Sequence, residues 1–358
     1  MILPYYLAFT LPAVVGLGVL AGGNWIWLTP LYLFVLVPIL DILGGLDTEN
    51  PEERKGVNRD VSRDLPLWLW APVMVGFEVW VASQVGTGRF STAEFVGVSV
   101  GTGLVGGAAA INVAHELMHR RGKFERALSE ILLLCVTYTH FTVEHVMGHH
   151  RRVSTPEDPA SSRFGESLYR FLPRSIVLSL FSAWELEGER VQKRGAGFLR
   201  LGDRRVRYIL MTGAAYAGLG FAFGWLAVAF FALQSFVAIC LLETINYIEH
   251  YGLFRKEIAP GKYERVRPHH SWNASQRVTN WFLYNLQRHS DHHYLASRPY
   301  WQLRHFDDVP QMPFGYATMF LIAFAPPVWR SIMDPRVEAW REKHGGDEIA
   351  AGPEAEAA

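Results

Sequence analysis

Six stretches of about 20 mostly apolar residues divide this chain, and each is long enough to cross a bilayer as a helix. They run approximately 3–22, 25–45, 65–86, 92–114, 206–223 and 225–247. In hydrocarbon every backbone N–H and C=O needs a partner within the segment, so spans of this kind fold as helices. The pattern therefore predicts an all-α integral membrane protein with six transmembrane helices. The first stretch has the length of a secretory signal. It lacks a basic leader and a second span follows at once, so it reads as retained.

Charge orients the bundle. With this topology Arg89 is the one Lys or Arg on one side, and the remaining 33 of 34 lie on the other. The positive-inside rule makes the crowded side cytoplasmic, with both termini there. Residues 1–118 then carry spans one to four and 206–247 carry spans five and six. Residues 119–205 and 248–344 form a cytoplasmic helical cap. The run ILLLCVTYTHFTVEH (131–145) is too short and too polar at its end to span, and predicts a helix dipping from the membrane surface. DTENPEERKGVNRD (47–60) reads as a solvated loop, and the acidic stretch 345–358 as a disordered tail or a linker to a further domain. Net charge is zero and no basic tract lies beside aromatics, so nothing favours nucleic acid. The two cysteines, Cys135 and Cys240, form no C-x-x-C pattern, which leaves no disulfide framework and no built-in four-cysteine iron site.

The histidines are clustered. HELMH supplies His115 and His119, EHVMGHH supplies His145, His149 and His150, NYIEHYGL supplies His250, and LQRHSDHH supplies His289, His292 and His293. Spacings of three and four place pairs of imidazoles on one helical face. HELMH alone is the zinc-protease signature, with Glu116 as base and one further ligand. Nine clustered imidazoles are too many for one tetrahedral zinc and suit two metals with four or five ligands each. A metal transporter would carry ionisable residues along its spans, and these spans hold few, with Asp41, Glu78 and Glu243 the candidates. All-nitrogen clusters beside an apolar interior point to iron, because zinc has no redox chemistry.

Acids adjoin the ligands: Glu116, Glu144, Glu249 and Asp291. Metal-bound imidazole usually gives its other N–H to a carboxylate, so these acids are expected to orient ligands from neighbouring clusters. His140 is expected as a hydrogen-bonded interior residue near the site. His269 and His270 read as structural or surface residues, and His305 and His344 as ordinary ones. Gly97, Gly101, Gly103 and Gly107 lie at small-xxx-small spacing, which favours close helix packing. Gly103 and Gly107 could also leave room for a linear hydrocarbon. Trp25, Trp27, Trp68, Trp70 and Trp225 read as interfacial anchors.

HELMHRR, EHVMGHH, NYIEHYGL and LQRHSDHH, in this order, resemble the membrane-bound alkane 1-monooxygenase family along the whole chain, including DPASSRFGESLYRFLPRS (158–175). The resemblance implies a nonheme diiron centre with His115, His119, His145, His149, His150, His250, His289, His292 and His293 as ligands. It implies O2-dependent terminal hydroxylation of a medium-chain n-alkane drawn from the bilayer, in the bacterial inner membrane. It also implies electrons from rubredoxin, a separate chain or one fused beyond the tail, reduced by a flavin-dependent reductase. Related membrane diiron hydroxylases acting on aromatic methyl groups or fatty acyl chains are the alternative.

Overall fold

The computed structural model describes residues 2–52, 60–195 and 202–344. The tail at 345–358 and residues 53–59 of the 47–60 loop lie outside the described residues. Six helices are long and apolar enough to cross a membrane: α1 (Leu3–Ala21), α2 (Gly23–Gly44), α3 (Val61–Gly86), α4 (Thr92–Met118), α8 (Arg204–Phe223) and α9 (Trp225–His250). Between and after them lie α5 (Lys123–Cys135), α6 (141–152), α7 (Leu168–Lys193), α10 (Arg277–Phe282), α11 (His289–Tyr294), α12 (Tyr316–Ala323) and α13 (Pro326–Lys343). A small antiparallel hairpin, Glu257–Ala259 with Lys262–Tyr263, is the one sheet among the described residues.

Local chemistry sets the helix ends. Asp60 accepts the Ser62 N–H at the head of α3. Ser91 and Glu94 form a reciprocal capping box at the head of α4. Glu94 also accepts the Gly23 N–H at 2.7 Å, which ties the α1–α2 turn to α4. Gly22 and Gly224 take φ of 70° and 81° in the turns that reverse the chain between adjacent spans, a region other residues enter at a cost.

α4 is the central helix. Its membrane window is 89% buried, against 6% for α8 at the periphery. The small residues of α4 bring α9 close: a Cβ on Gly103 would stand 2.5 Å from the Gln234 carbonyl oxygen and 2.6 Å from Val237 Cβ. Gly103 therefore serves helix packing, and it does not line the cavity described below. A second cluster, with Tyr251, Trp272, Trp329 and Met333, anchors α13 and the loop after α9 to the end of α9.

The expected single helix at 131–145 is two. α5 begins earlier, at Lys123, and stops at Cys135, where Thr137 turns left-handed at φ 51°. α6 restarts at Phe141. The break lets the second histidine cluster enter the site on its own short helix.

Candidate metal centre

His115 lies in the last turn of α4 and His250 in the last turn of α9. α6 contributes His145, His149 and His150, and α11 contributes His289, His292 and His293. Their ring nitrogens gather into two groups. His115, His119, His145, His150 and His292 form one, and His149, His250, His289 and His293 the other; within each group the potential ligand atoms lie within 4.8 Å of one another.

The winding of α6 makes this partition. Residues Glu144–His149 form a π-helical segment. An α-helix would leave His145 and His150 well apart around the axis, whereas π-winding stacks residue i on i+5. Their Nε2 atoms stand 2.9 Å apart. His149 turns to the other group, its Nε2 3.2 Å from His293 Nε2. On α11 the adjacent His292 and His293 likewise diverge into different groups, and His292 Nε2 stands 3.1 Å from His150 Nε2.

Such nitrogen–nitrogen distances suit donors around a shared ion, since ligands about 2.1 Å from a metal at right angles are about 3.0 Å apart. Several ring nitrogens here are buried with no hydrogen-bond partner: His115 Nε2, His119 Nε2, His145 Nδ1, His293 Nδ1 and both nitrogens of His250. Burial pushes His119 down to about 3 and holds His145, His150, His289, His292 and His293 well below the ordinary imidazole range. Neutral imidazole is the form a metal requires. The donor set therefore fits two metal ions.

His149 has a specific carboxylate partner, which the reading of the sequence missed. Its Nδ1 donates to Asp158 Oδ2 at 2.8 Å with both side chains buried, so Nε2 faces its group with a free lone pair. Burial lowers the imidazole pKa, yet the Asp158 charge more than offsets this and raises it; burial in turn favours protonated Asp158, while His149 and Ser161 hold it below the usual carboxylate range. Asp158 heads the 158–175 stretch, and no ligand adjoins it in sequence to mark it.

Glu249 stands 3.2 Å from His289 Nε2 and accepts the Tyr316 hydroxyl at 2.8 Å. The other three acids correct the expectation. Glu116 accepts Arg120 at 2.6 Å and the Tyr300 N–H at 3.2 Å, Glu144 accepts Arg152 at 3.0 Å, and Asp291 takes Arg298 and Arg304. Each follows or precedes one of the clustered histidines by one residue and so projects to another side of its helix, toward arginine. With its carboxylate committed to Arg120, Glu116 is not placed as a protease base. His140 belongs to neither group; its ring meets Tyr138 edge-on with centroids 4.4 Å apart.

A third cluster, Glu264, His269 and His270, lies apart. His270 Nδ1 accepts the Arg267 N–H at 3.0 Å, which puts the ring proton on Nε2, 3.3 Å from Glu264. That arrangement satisfies the buried imidazole without a metal.

An apolar cavity runs from the imidazoles into the helix bundle. His115, His145 and His289 stand at its polar end, and Gly107, Ala108, Leu33, Phe34 and Phe320 line its apolar part. Gly107 lines the cavity, and a Cβ there would stand 2.9 Å from the Ala238 carbonyl oxygen, so it also packs against α9.

Fold and site together define a helical protein with six helices able to cross a membrane and two buried histidine groups that could hold metal ions. Residues 91–323 match the fatty acid desaturase family. The chain is 44% identical over 329 residues to alkane 1-monooxygenase 1 of Pseudomonas aeruginosa, covering 91% of this chain and 85% of that protein. It is 41% identical to alkane 1-monooxygenase 2 of Alcanivorax borkumensis, covering 94% and 91%. Identity to the xylene/toluene monooxygenase hydroxylase component of Pseudomonas putida is 27%, covering 96% and 90%. The chain belongs to the fatty acid desaturase family and, within it, to the alkane 1-monooxygenases.

Proposed function

We propose that this protein hydroxylates medium-chain n-alkanes at the terminal carbon: RCH3 + O2 + 2 e− + 2 H+ → RCH2OH + H2O. The observation that carries the reading is the meeting of two imidazole groups with the polar end of an apolar cavity. His115, His119, His145, His150 and His292 would hold one iron, and His149, His250, His289 and His293 the other. When bound, the two irons supply the O2 activation and C–H oxidation that no side chain provides. The chain's own residues fix the ligand tautomer through Asp158, exclude water with the cavity wall, and align a linear substrate so that its methyl end meets the imidazoles. Alignment of that kind is a large part of a catalytic effect.

The two added electrons come from a donor outside residues 1–358, either a separate chain or a domain fused beyond the tail. Among the described residues Cys135 is buried and unpaired and Cys240 half-buried and unpaired, so they form no redox pair. Rubredoxin with its flavin reductase is the donor in this reading. It docks on the cytoplasmic face formed by 119–205 and 248–344, with 1–118 and 206–247 as the membrane part, 345–358 as tail or linker, and both termini in the cytoplasm of a bacterial cell. The alkane enters from the bilayer.

Metal analysis of the detergent-purified protein, followed by rubredoxin-driven turnover of octane, tests the proposal. About two irons per chain and formation of 1-octanol are expected. One zinc, no iron and no alcohol would overturn it.

A further inference from the structure

Asn112 lines the cavity one helical turn before His115, about 4.5 Å along the axis. The residue is 6% exposed, and its buried amide Nδ2 has no hydrogen-bond partner. The other polar side chains at this end are engaged. Asn246 Nδ2 donates to Glu243 at 3.3 Å, the Tyr316 hydroxyl donates to Glu249 at 2.8 Å, and the Thr279 hydroxyl donates to Asp41. The unpartnered imidazole nitrogens have the metals to face. Asn112 is thus the cavity-lining amide, among the described residues, whose N–H is left unanswered.

A buried donor without a partner destabilises the folded chain, so an amide kept here is best explained by a ligand that answers it. The alkane has no acceptor. Its product does, and the new hydroxyl forms at the end of the hydrocarbon nearest His115. Asn112 lines the same cavity one helical turn from His115.

We infer that Asn112 is a product-recognition residue, whose amide Nδ2 donates to the hydroxyl oxygen of the primary alcohol in the cavity. The inference rests on the alkane-hydroxylase reading. Asn112 then gives the cavity two affinities: hydrophobic contact alone holds the substrate, while contact and one hydrogen bond hold the product. The same bond holds the alcohol's first carbon beside the imidazoles, and product departure must break it.

Binding to the metal-free, purified protein isolates this contact, with n-octane and 1-octanol titrated separately and affinity read from the shift in unfolding temperature. Wild-type protein is expected to bind 1-octanol more tightly than n-octane. Asn112→Leu, close in size and without a donor, should weaken 1-octanol by about three- to tenfold, the ordinary worth of one neutral hydrogen bond. It should leave n-octane binding unchanged. Asn112→Ser keeps a shorter donor and should fall between the two. In the iron-loaded enzyme, inhibition by added 1-octanol should weaken by the same factor while iron content holds.

Unchanged 1-octanol affinity in Asn112→Leu overturns the inference. So does an equal loss for both ligands, or a loss of iron, since either marks a role in packing or in placing His115. If Asn112→Leu does not fold, Asn112→Ser decides by the same comparison. Wild-type protein that binds neither ligand would bring down the alkane reading of the cavity itself, a result distinct from the others.

Discussion

His149 and Asp158 are joined by a 2.8 Å hydrogen bond from Nδ1 to Oδ2, with both side chains buried. Asp158 also accepts the Ser161 hydroxyl at 2.6 Å and the Ala160 N–H at 3.2 Å, so the carboxylate is itself held in place. It sets which nitrogen of His149 carries the proton. Asp158→Asn keeps the shape but can present an N–H to the ring and favour the wrong tautomer. Iron retention or turnover should fall by about 10–100-fold, the usual effect of losing a carboxylate behind a metal-bound imidazole. Iron content after dialysis and octane turnover would check this, and wild-type values for both would remove the role.

His149→Ala takes one donor from the four-histidine group. Loaded iron should drop from about two per chain toward one, with turnover abolished and membrane insertion preserved. A variant that kept both irons and full activity would strike His149 from the ligand set.

Two substitutions on α4 separate packing from channel. Gly103 abuts α9, so Gly103→Leu should destabilise the bundle, lowering yield and unfolding temperature, without a specific effect on chain length. Ala108 lines the cavity, so Ala108→Phe should shorten the longest alkane accepted while the fold persists. Product profiles over a series of alkanes decide, and the reverse pattern would move the channel.

Burial pushes His140 down to about 4, and its Nε2 has no partner. An unfolded chain protonates this group near 6.5, so folded stability is fully present above that pH and is lost as pH falls through about 4. The difference is worth about 3 kcal/mol. His140→Phe should flatten the fall in unfolding temperature of the solubilised protein across that window. An unchanged profile would assign the acid sensitivity elsewhere.

If an acidic rubredoxin docks through charge on the Lys- and Arg-rich face, raising ionic strength should slow turnover at limiting rubredoxin. Turnover that ignores salt would mean that the donor is held by apolar contact.

Much of this protein was legible along the chain because the relevant rules are local. Six apolar runs specify six helices, since hydrocarbon leaves a backbone no other arrangement, and the ends of the six long apolar helices differ from the expected ones by a few residues at most. The spacing of nine clustered imidazoles likewise announces groups that could hold metal ions. The division of those ligands was not legible. It depends on π-winding over Glu144–His149, which joins His145 to His150 and sends His149 to the other group. Asp158 and Asn112 were hidden for a related reason. Their importance lies in what stands across from them in space, an imidazole in one case and an apolar cavity in the other, and only the packing of distant segments creates those neighbours. Glu116, Glu144 and Asp291 show the converse: adjacency to a ligand in sequence means divergence on a helix, and arginines brought in by the fold claim their carboxylates.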